Sequence, residues 1–191
     1  MGLYWDGQLI RLRAVEPGDA EAHYILNKDV HTARMQDMVY PPSSMARVTH
    51  WASETSLKGF DSDEFAFQME SLETGKLVGH IATHDANRRV GVFSYGINVY
   101  PDQQGKGYAS EATRLVLRYY FDELRYQKCN VQVHAINAES IRLHERLGFV
   151  QEGCLRRVVF TEGEFTDQLL YGITVEELRA RQRDRTPSEN G

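Results

Sequence analysis

Cysteine is scarce in this chain. Its 191 residues hold two, Cys129 and Cys154. Two cysteines cannot build a disulfide framework, and these do not form a Cys-x-x-Cys pair. Free cysteine usually behaves as a small core hydrophobe, so both are expected to be buried. The seven histidines are scattered, and no metal-ligand spacing emerges with them. Long apolar runs are missing as well, which excludes a helical membrane span. Met1 to Asp6 lacks the basic and then apolar layout of a signal peptide. Asp6 stands where a myristoylation site needs Ser or Thr. A cytoplasmic location is the expectation. Positive charge is not in excess: 22 Lys and Arg face 27 Asp and Glu, a formal net charge of −5. Nucleic-acid binding wants a basic face, so it is disfavoured. A cationic partner such as an amine fits the balance.

Hydrophobic residues make up 41% and charged residues 26%, a soluble composition that suits one domain over residues 1–191. Leu9 to Val15 reads as a strand. Asp19 is a good N-cap for a helix to about Leu26. Residues 28 to 60 are the least regular stretch, with Pro41-Pro42-Ser43-Ser44 as a turn. A helix follows over about Ala46 to Leu57, with Trp51 and Leu57 available for burial. Glu64 to Glu70 alternates, with Phe65, Phe67 and Met69 on one face. Glu73 to Lys76 is a hairpin turn, Leu77 to Thr83 a strand, and Asp85 to Arg89 a polar loop. Val92 to Val99 is the next strand, and an amphipathic helix covers Ser110 to Leu124. Val131 to Ala135 is a short strand. Ala138 to Leu147 is a helix that stops at Gly148. Strands over 149–160 and 168–173 flank a turn at Glu162-Gly163-Glu164. Thr174 to Glu177 fits a capping box for a final helix. Arg181 to Gly191 should be a frayed tail.

The stretch between the fourth strand and its helix is Gln104-Gly105-Lys106-Gly107-Tyr108-Ala109. A strand, a glycine-rich turn and a helix start converge peptide N–H groups and helix dipole on one point, which suits a phosphate. A Cβ there would block close approach of an anion. Gly105-Lys106-Gly107 lacks the P-loop layout of an ATPase. A tight turn alone would also accommodate these glycines.

Gln104 to Ala109 matches the Gln/Arg-x-x-Gly-x-Gly/Ala signature of the GNAT superfamily of N-acetyltransferases. Asn137-Ala138-Glu139-Ser140, continuing to Leu147-Gly148-Phe149, resembles that family's second cofactor-side element. Glu152 to Arg156 with Leu169 to Ile173 is similar to its RimJ/RimL branch. The resemblance covers Leu9 to Leu178. It implies an α/β fold with a mixed, mostly antiparallel twisted central sheet, flanked by helices, in which two central strands splay apart. It also implies acetyl-CoA as co-substrate, with no metal. Its pyrophosphate would sit on Gln104, Gly105, Lys106, Gly107, Tyr108 and Ala109 and on the first helical turn at Ser110. Lys106 either adds a charge-assisted contact or points to water. The backbone of Ile97 and Val99 would meet the pantetheine arm and the thioester carbonyl.

Asn137 caps a helix or, by the resemblance, also contacts the pantetheine arm. Ser140 is implied as the group that hydrogen-bonds the leaving thiolate. His144, one turn later, takes the position of a tyrosine acid in many relatives, and either donates the proton or is a plain interior histidine. Glu70, His80, His84 and Asp85 are the candidate bases. The stretch from Val30 to Trp51 should roof the acceptor site. The implied activity is acetyl transfer to a primary amine by direct attack in a ternary complex. The branch favours a protein N-terminal α-amine as acceptor. A small amine (a polyamine or a drug-like amine) is the enzymatic alternative, and a non-catalytic acyl-CoA sensor is the other. Relatives are often dimers, so a homodimer stays open.

Overall fold

Strand β4 (Val92–Val99) shows how the sequence builds the sheet. Its side chains alternate with period two: Phe93, Tyr95 and Ile97 face one way, Ser94, Gly96 and Asn98 the other. The first face meets α4 (Tyr108–Arg118), whose Ala112, Leu115 and Val116 recur at helical spacing and are at most 5% exposed. Phe93 stacks on Tyr120 with ring centroids 3.8 Å apart. The computed structural model describes residues 4–36, 38–59 and 61–185.

Seven strands form one sheet, in the order β1-β2-β3-β4-β5-β7-β6. The others are β1 (Ile10–Ala14), β2 (Ala66–Ser71), β3 (Leu77–Asn87), β5 (Lys128–His134), β6 (Val150–Thr161) and β7 (Glu164–Thr174). Every neighbouring pair is antiparallel except β4 and β5. That parallel pair shares register only at Val92↔Lys128, Phe93↔Cys129 and Ser94↔Asn130, then separates. This is the mixed, splayed sheet expected of the family. On its second face lie α1 (Ala20–Leu26) and α3 (Met45–Ser56), meeting it through Val15, Ala20, Val48 and Ala52. α5 (Ala138–Leu147) lies beyond the splay, and α6 (Val175–Arg185) follows β7. No helix among the described residues is long and apolar enough to cross a membrane.

The structure revises several expectations. Trp51 is 39% and Leu57 85% exposed, because Val48 and Ala52 carry the buried stripe of α3 and Leu57 lies past its end. The irregular stretch contains α2 (Val30–Gln36), entered through Asp29, whose carboxylate accepts from the Thr32 hydroxyl at 2.6 Å. β3 runs through the expected polar loop to Asn87, with an irregular register between His84 and Asn87. α4 begins at Tyr108 and passes into a π-helical turn over Tyr119–Glu123. β5 begins at Lys128 and β7 at Glu164, each ahead of expectation. α6 is capped by reciprocal Thr174 and Glu177 bonds, as expected, but stays helical to Arg185. Residues 186–191 of the expected tail lie outside the described residues. Cys129 is buried and Cys154 exposed, since Cys154 sits on the edge strand β6.

The segment before β1 is fastened to α4 by one carboxylate. Glu111 accepts from the backbone N–H groups of Gln8, Leu9 and Ile10 at 2.7, 2.7 and 2.8 Å. A Cβ on Gly7 would lie 2.3 Å from that carboxyl carbon, so any other residue there would have to displace the Glu111 carboxylate. Charge-assisted bonds of this kind contribute about 1.5–3 kcal/mol each at most. Glu111→Ala should therefore lower stability by about 2–3 kcal/mol. An unchanged urea midpoint with an unchanged slope would contradict the fastening.

Three of the histidines are shifted by their surroundings. Burial holds His23 below its ordinary value, His80 at about 3 and His144 at about 4. Their neutral forms are favoured in the folded state, while unfolded imidazole protonates near 6.5. The unfolded chain then binds more protons below that pH, so the stability is complete above about 6.5 and is lost as pH falls toward 4. His80 and His144 each contribute a slope of about 1.4 kcal/mol per pH unit in that window. Urea midpoints should drop between pH 7 and pH 5; a flat profile would show that these rings charge freely in the fold.

Candidate active site

The parting of β4 from β5 opens a cleft of about 710 Å³ that crosses the sheet. One end is lined by the glycine turn and the start of α4. Gly105 and Gly107 have φ of +77° and +89°, a region that side-chain-bearing residues avoid. Gly107 is the N-cap of α4 and carries no side-chain cap, so the first amides of the helix have no competing side-chain acceptor at that position. Gln104 Nε2 donates to the Val99 carbonyl at 3.3 Å, and Lys106 Nζ to Gln103 Oε1 at 2.9 Å. Ala109 and Ser110 line the same end. Arg142 and Arg146 of α5 also line the cleft, and sequence reasoning missed them. Their one-turn spacing on the helix that carries Ser140 was the available signal. This end joins helix dipole, open backbone and Lys106, which suits a diphosphate.

The middle of the cleft is the splay itself. The Tyr100 N–H donates to Val78 on β3. Antiparallel alternation then turns the peptide groups of Ile97 and Val99 away from β3, toward the opening. Across from them, Asn137 caps α5: its Oδ1 accepts from the Ser140 N–H at 2.9 Å. Its Nδ2 donates to the Met35 carbonyl of α2 at 2.9 Å. His134 Nδ1 donates to the Arg34 carbonyl at 3.1 Å, and Arg34 pairs with Glu162 at 3.0 Å. α2 is thereby held over the cleft, which His31, Thr32 and Met35 line from above.

Ser140 and His144 come together. His144 Nδ1 lies 2.8 Å from the Ser140 carbonyl oxygen and 3.3 Å from Ser140 Oγ. A carbonyl only accepts, so the ring proton is on Nδ1, and Nε2 accepts from the Tyr95 hydroxyl at 2.9 Å. Burial holds this imidazole at about 4, so it is neutral at pH 7. A ring committed at both nitrogens is badly disposed to deliver a proton elsewhere. It does occupy a lone pair of Ser140 Oγ, which leaves the serine O–H available to the cleft.

Of the base candidates, His80 and His84 line the cleft. His84 Nδ1 lies 2.9 Å from Asp85 Oδ2. Glu70 stands apart: it is paired with Arg13 at 3.2 Å and Arg11 at 3.9 Å on β1, and it does not line the cleft. Its place opposite Arg11 in the β1–β2 register explains this. Among the described residues lining the cleft, Glu139 is the one carboxylate. No group of three or more His, Cys, Asp or Glu among the described residues is arranged to hold a metal.

The family profile described as Acetyltransferase (GNAT) domain matches residues 10–150. The SPbeta prophage-derived uncharacterized N-acetyltransferase YokL of Bacillus subtilis is 39% identical over 91% of this chain and 94% of its own length. A spermidine N(1)-acetyltransferase of Vibrio cholerae is 30% identical over 56% of this chain and 61% of its own. The crystal structure of the Vibrio cholerae spermidine N-acetyltransferase with CoA and spermine superposes with a TM-score of 0.79 at 25% identity, covering 91% of this chain and 99% of that one. These names include polyamine enzymes and do not carry the RimJ/RimL assignment. The splayed sheet, the glycine turn and these relatives agree: the chain belongs to the GNAT acetyltransferase family, the acetyl-CoA-dependent N-acetyltransferases.

Proposed function

We propose that the cleft holds acetyl-CoA along β4 and transfers its acetyl group directly to a primary amine arriving beneath α2. The observation that carries this is the continuity of the cleft, from the cationic glycine turn to the side lined by His31, His80 and His84. In the proposal, Gln104 to Ser110 hold the pyrophosphate and Lys106, Arg142 and Arg146 add charge. Ile97 and the Val99 N–H line the stretch along which the pantetheine arm and the thioester would lie. Asn137 sets the start of α5 and closes that wall. The amine lone pair forms the N–C bond as the C–S bond breaks. The nitrogen gives up one proton and the sulfur gains one, so no net proton is released. A free thiol titrates near 8.5, so the leaving sulfur must be protonated at neutral pH. Ser140 O–H supplies that hydrogen bond, with His144 fixing its orientation.

A protein or peptide α-amine is the acceptor we favour, in line with the RimJ/RimL resemblance. A polycation would call for carboxylates, and the described cleft lining offers Glu139 alone. The second reading is a polyamine acceptor, favoured by the spermine-bound structural neighbour. A panel of N-terminal peptides and polyamines, followed by release of free CoA, distinguishes them. Transfer to polyamines alone would overturn the α-amine acceptor, and silence across the panel with tight CoA binding would point to a sensor.

Gly107→Glu should abolish CoA binding by calorimetry while the circular dichroism spectrum is kept; unchanged affinity removes the pyrophosphate assignment. Ser140→Ala should lower kcat by about 10²-fold, with KM for acetyl-CoA within about twofold. A silent Ser140→Ala beside a damaging His144→Ala would transfer the acid role to the histidine.

A further inference from the structure

Three uncharged polar side chains stand in a row across the sheet. Gln68 on β2 is opposite His80 on β3, and His80 is opposite Asn98 on β4. All three project from the face covered by α1 and α3. Gln68 is 0% and Asn98 4% exposed. Yet Gln68 Oε1, His80 Nδ1 and Asn98 Oδ1 are each buried without a protein hydrogen-bond partner. Buried polar atoms are normally paired, so three orphans in adjacent register positions point to a partner from outside the chain. His80 and Asn98 line the cleft. The closed end of the row is His23, whose ring lies 5.0 Å from that of His80 and whose Nε2 is 2.6 Å from Gln68 Nε2. Trp51 covers His23 edge-on at 4.5 Å. The nearby charges cancel in pairs: Asp19 is bonded to Arg13 at 2.7 Å, and Arg13 also reaches Glu70.

We propose that Asn98 and His80 form the subsite that receives the acceptor nitrogen, and that this row selects an uncharged primary amine over an alkylammonium. The subsite rests on the transfer reading above and names its substrate class. A neutral amine has two N–H donors and one lone pair. Asn98 Oδ1 and His80 Nδ1 accept the two hydrogens and leave the lone pair free for the thioester carbon. The N–C bond then forms, the C–S bond breaks, and one amine proton is lost as the thiolate gains one. An ammonium has no lone pair and meets no carboxylate in the row. Burying it there would leave a charge uncompensated. At pH 7 about one α-amine in ten is neutral, against about one lysine-type amine in 2,500. The row thus favours α-amines and other weakly basic amines by the neutral fraction alone, and His80, kept uncharged by its burial, suits this role.

The test is steady-state kinetics on the full chain, with an N-terminal peptide, a lysine side-chain analogue and spermine as acceptors. Asn98→Ala and His80→Ala should each raise the peptide KM about tenfold or more while KM for acetyl-CoA stays within about twofold. Asn98→Asp, which keeps the shape and adds a charge, should shift the spermine-to-peptide ratio of kcat/KM upward by about tenfold or more. Should Asn98→Ala fail to fold, the isosteric Asn98→Asp carries the test. Unchanged peptide KM in folded Asn98 and His80 variants overturns the subsite alone, as does an unmoved acceptor ratio in Asn98→Asp. Absence of transfer from the unaltered protein to any amine overturns the transferase reading and the subsite with it.

Discussion

The molecule is organised by a pairing that fails. β4 and β5 run parallel for three register positions and then part after Ser94 and Asn130. A parallel pair normally continues because each added residue satisfies two more backbone groups. Here the imidazole of His144 fills the space beside the separated strands. It meets Tyr95 of β4 through a hydrogen bond and lies near Phe149 and Tyr171, with ring centroids at 5.1 and 6.3 Å. The splay is thus supported from below by a packed aromatic cluster.

The cleft mixes two kinds of lining, the cations Lys106, Arg142 and Arg146 and a set of histidines and amides. The chain as a whole is acidic, at −5, so these cations are a local feature of α5 and the turn. A polyanionic co-substrate is drawn to the cations, and the histidines and amides are left to recognise its partner by hydrogen bonds. The roof is held by backbone carbonyls: Arg34 and Met35 accept from His134 and Asn137, so α2 is tied to the wall that carries Ser140.

The strands, the glycine turn and the two helices that flank it were legible in the sequence because their signals are local. Period-two alternation sets β4, Gly107 ends the turn, and Gly148 closes α5 with a φ of +104°. α2 escaped notice because much of its support comes from His134 and Asn137, about a hundred residues away. Glu70 looked like a base because its strand was expected to border the acceptor cleft; only the β1–β2 register reveals that it faces Arg11 and Arg13. Cys154 looked like core because cysteine usually is, yet an edge strand gives it nothing to pack under. The Gln68, His80 and Asn98 row was hidden for the same reason as Glu70. Three residues from three strands become neighbours only once the register is known.

Glu111 has a consequence for the far end of the cleft. It is the one acidic residue in the first turn of α4. An acid there would ordinarily soak up the partial positive charge of the helix start and compete with any bound anion. Its oxygens are instead occupied by the peptide N–H groups of Gln8, Leu9 and Ile10, on the side away from the opening. The leading segment of the chain therefore acts as an internal counter-charge, shielding the turn from its own carboxylate and leaving the helix field to the visitor.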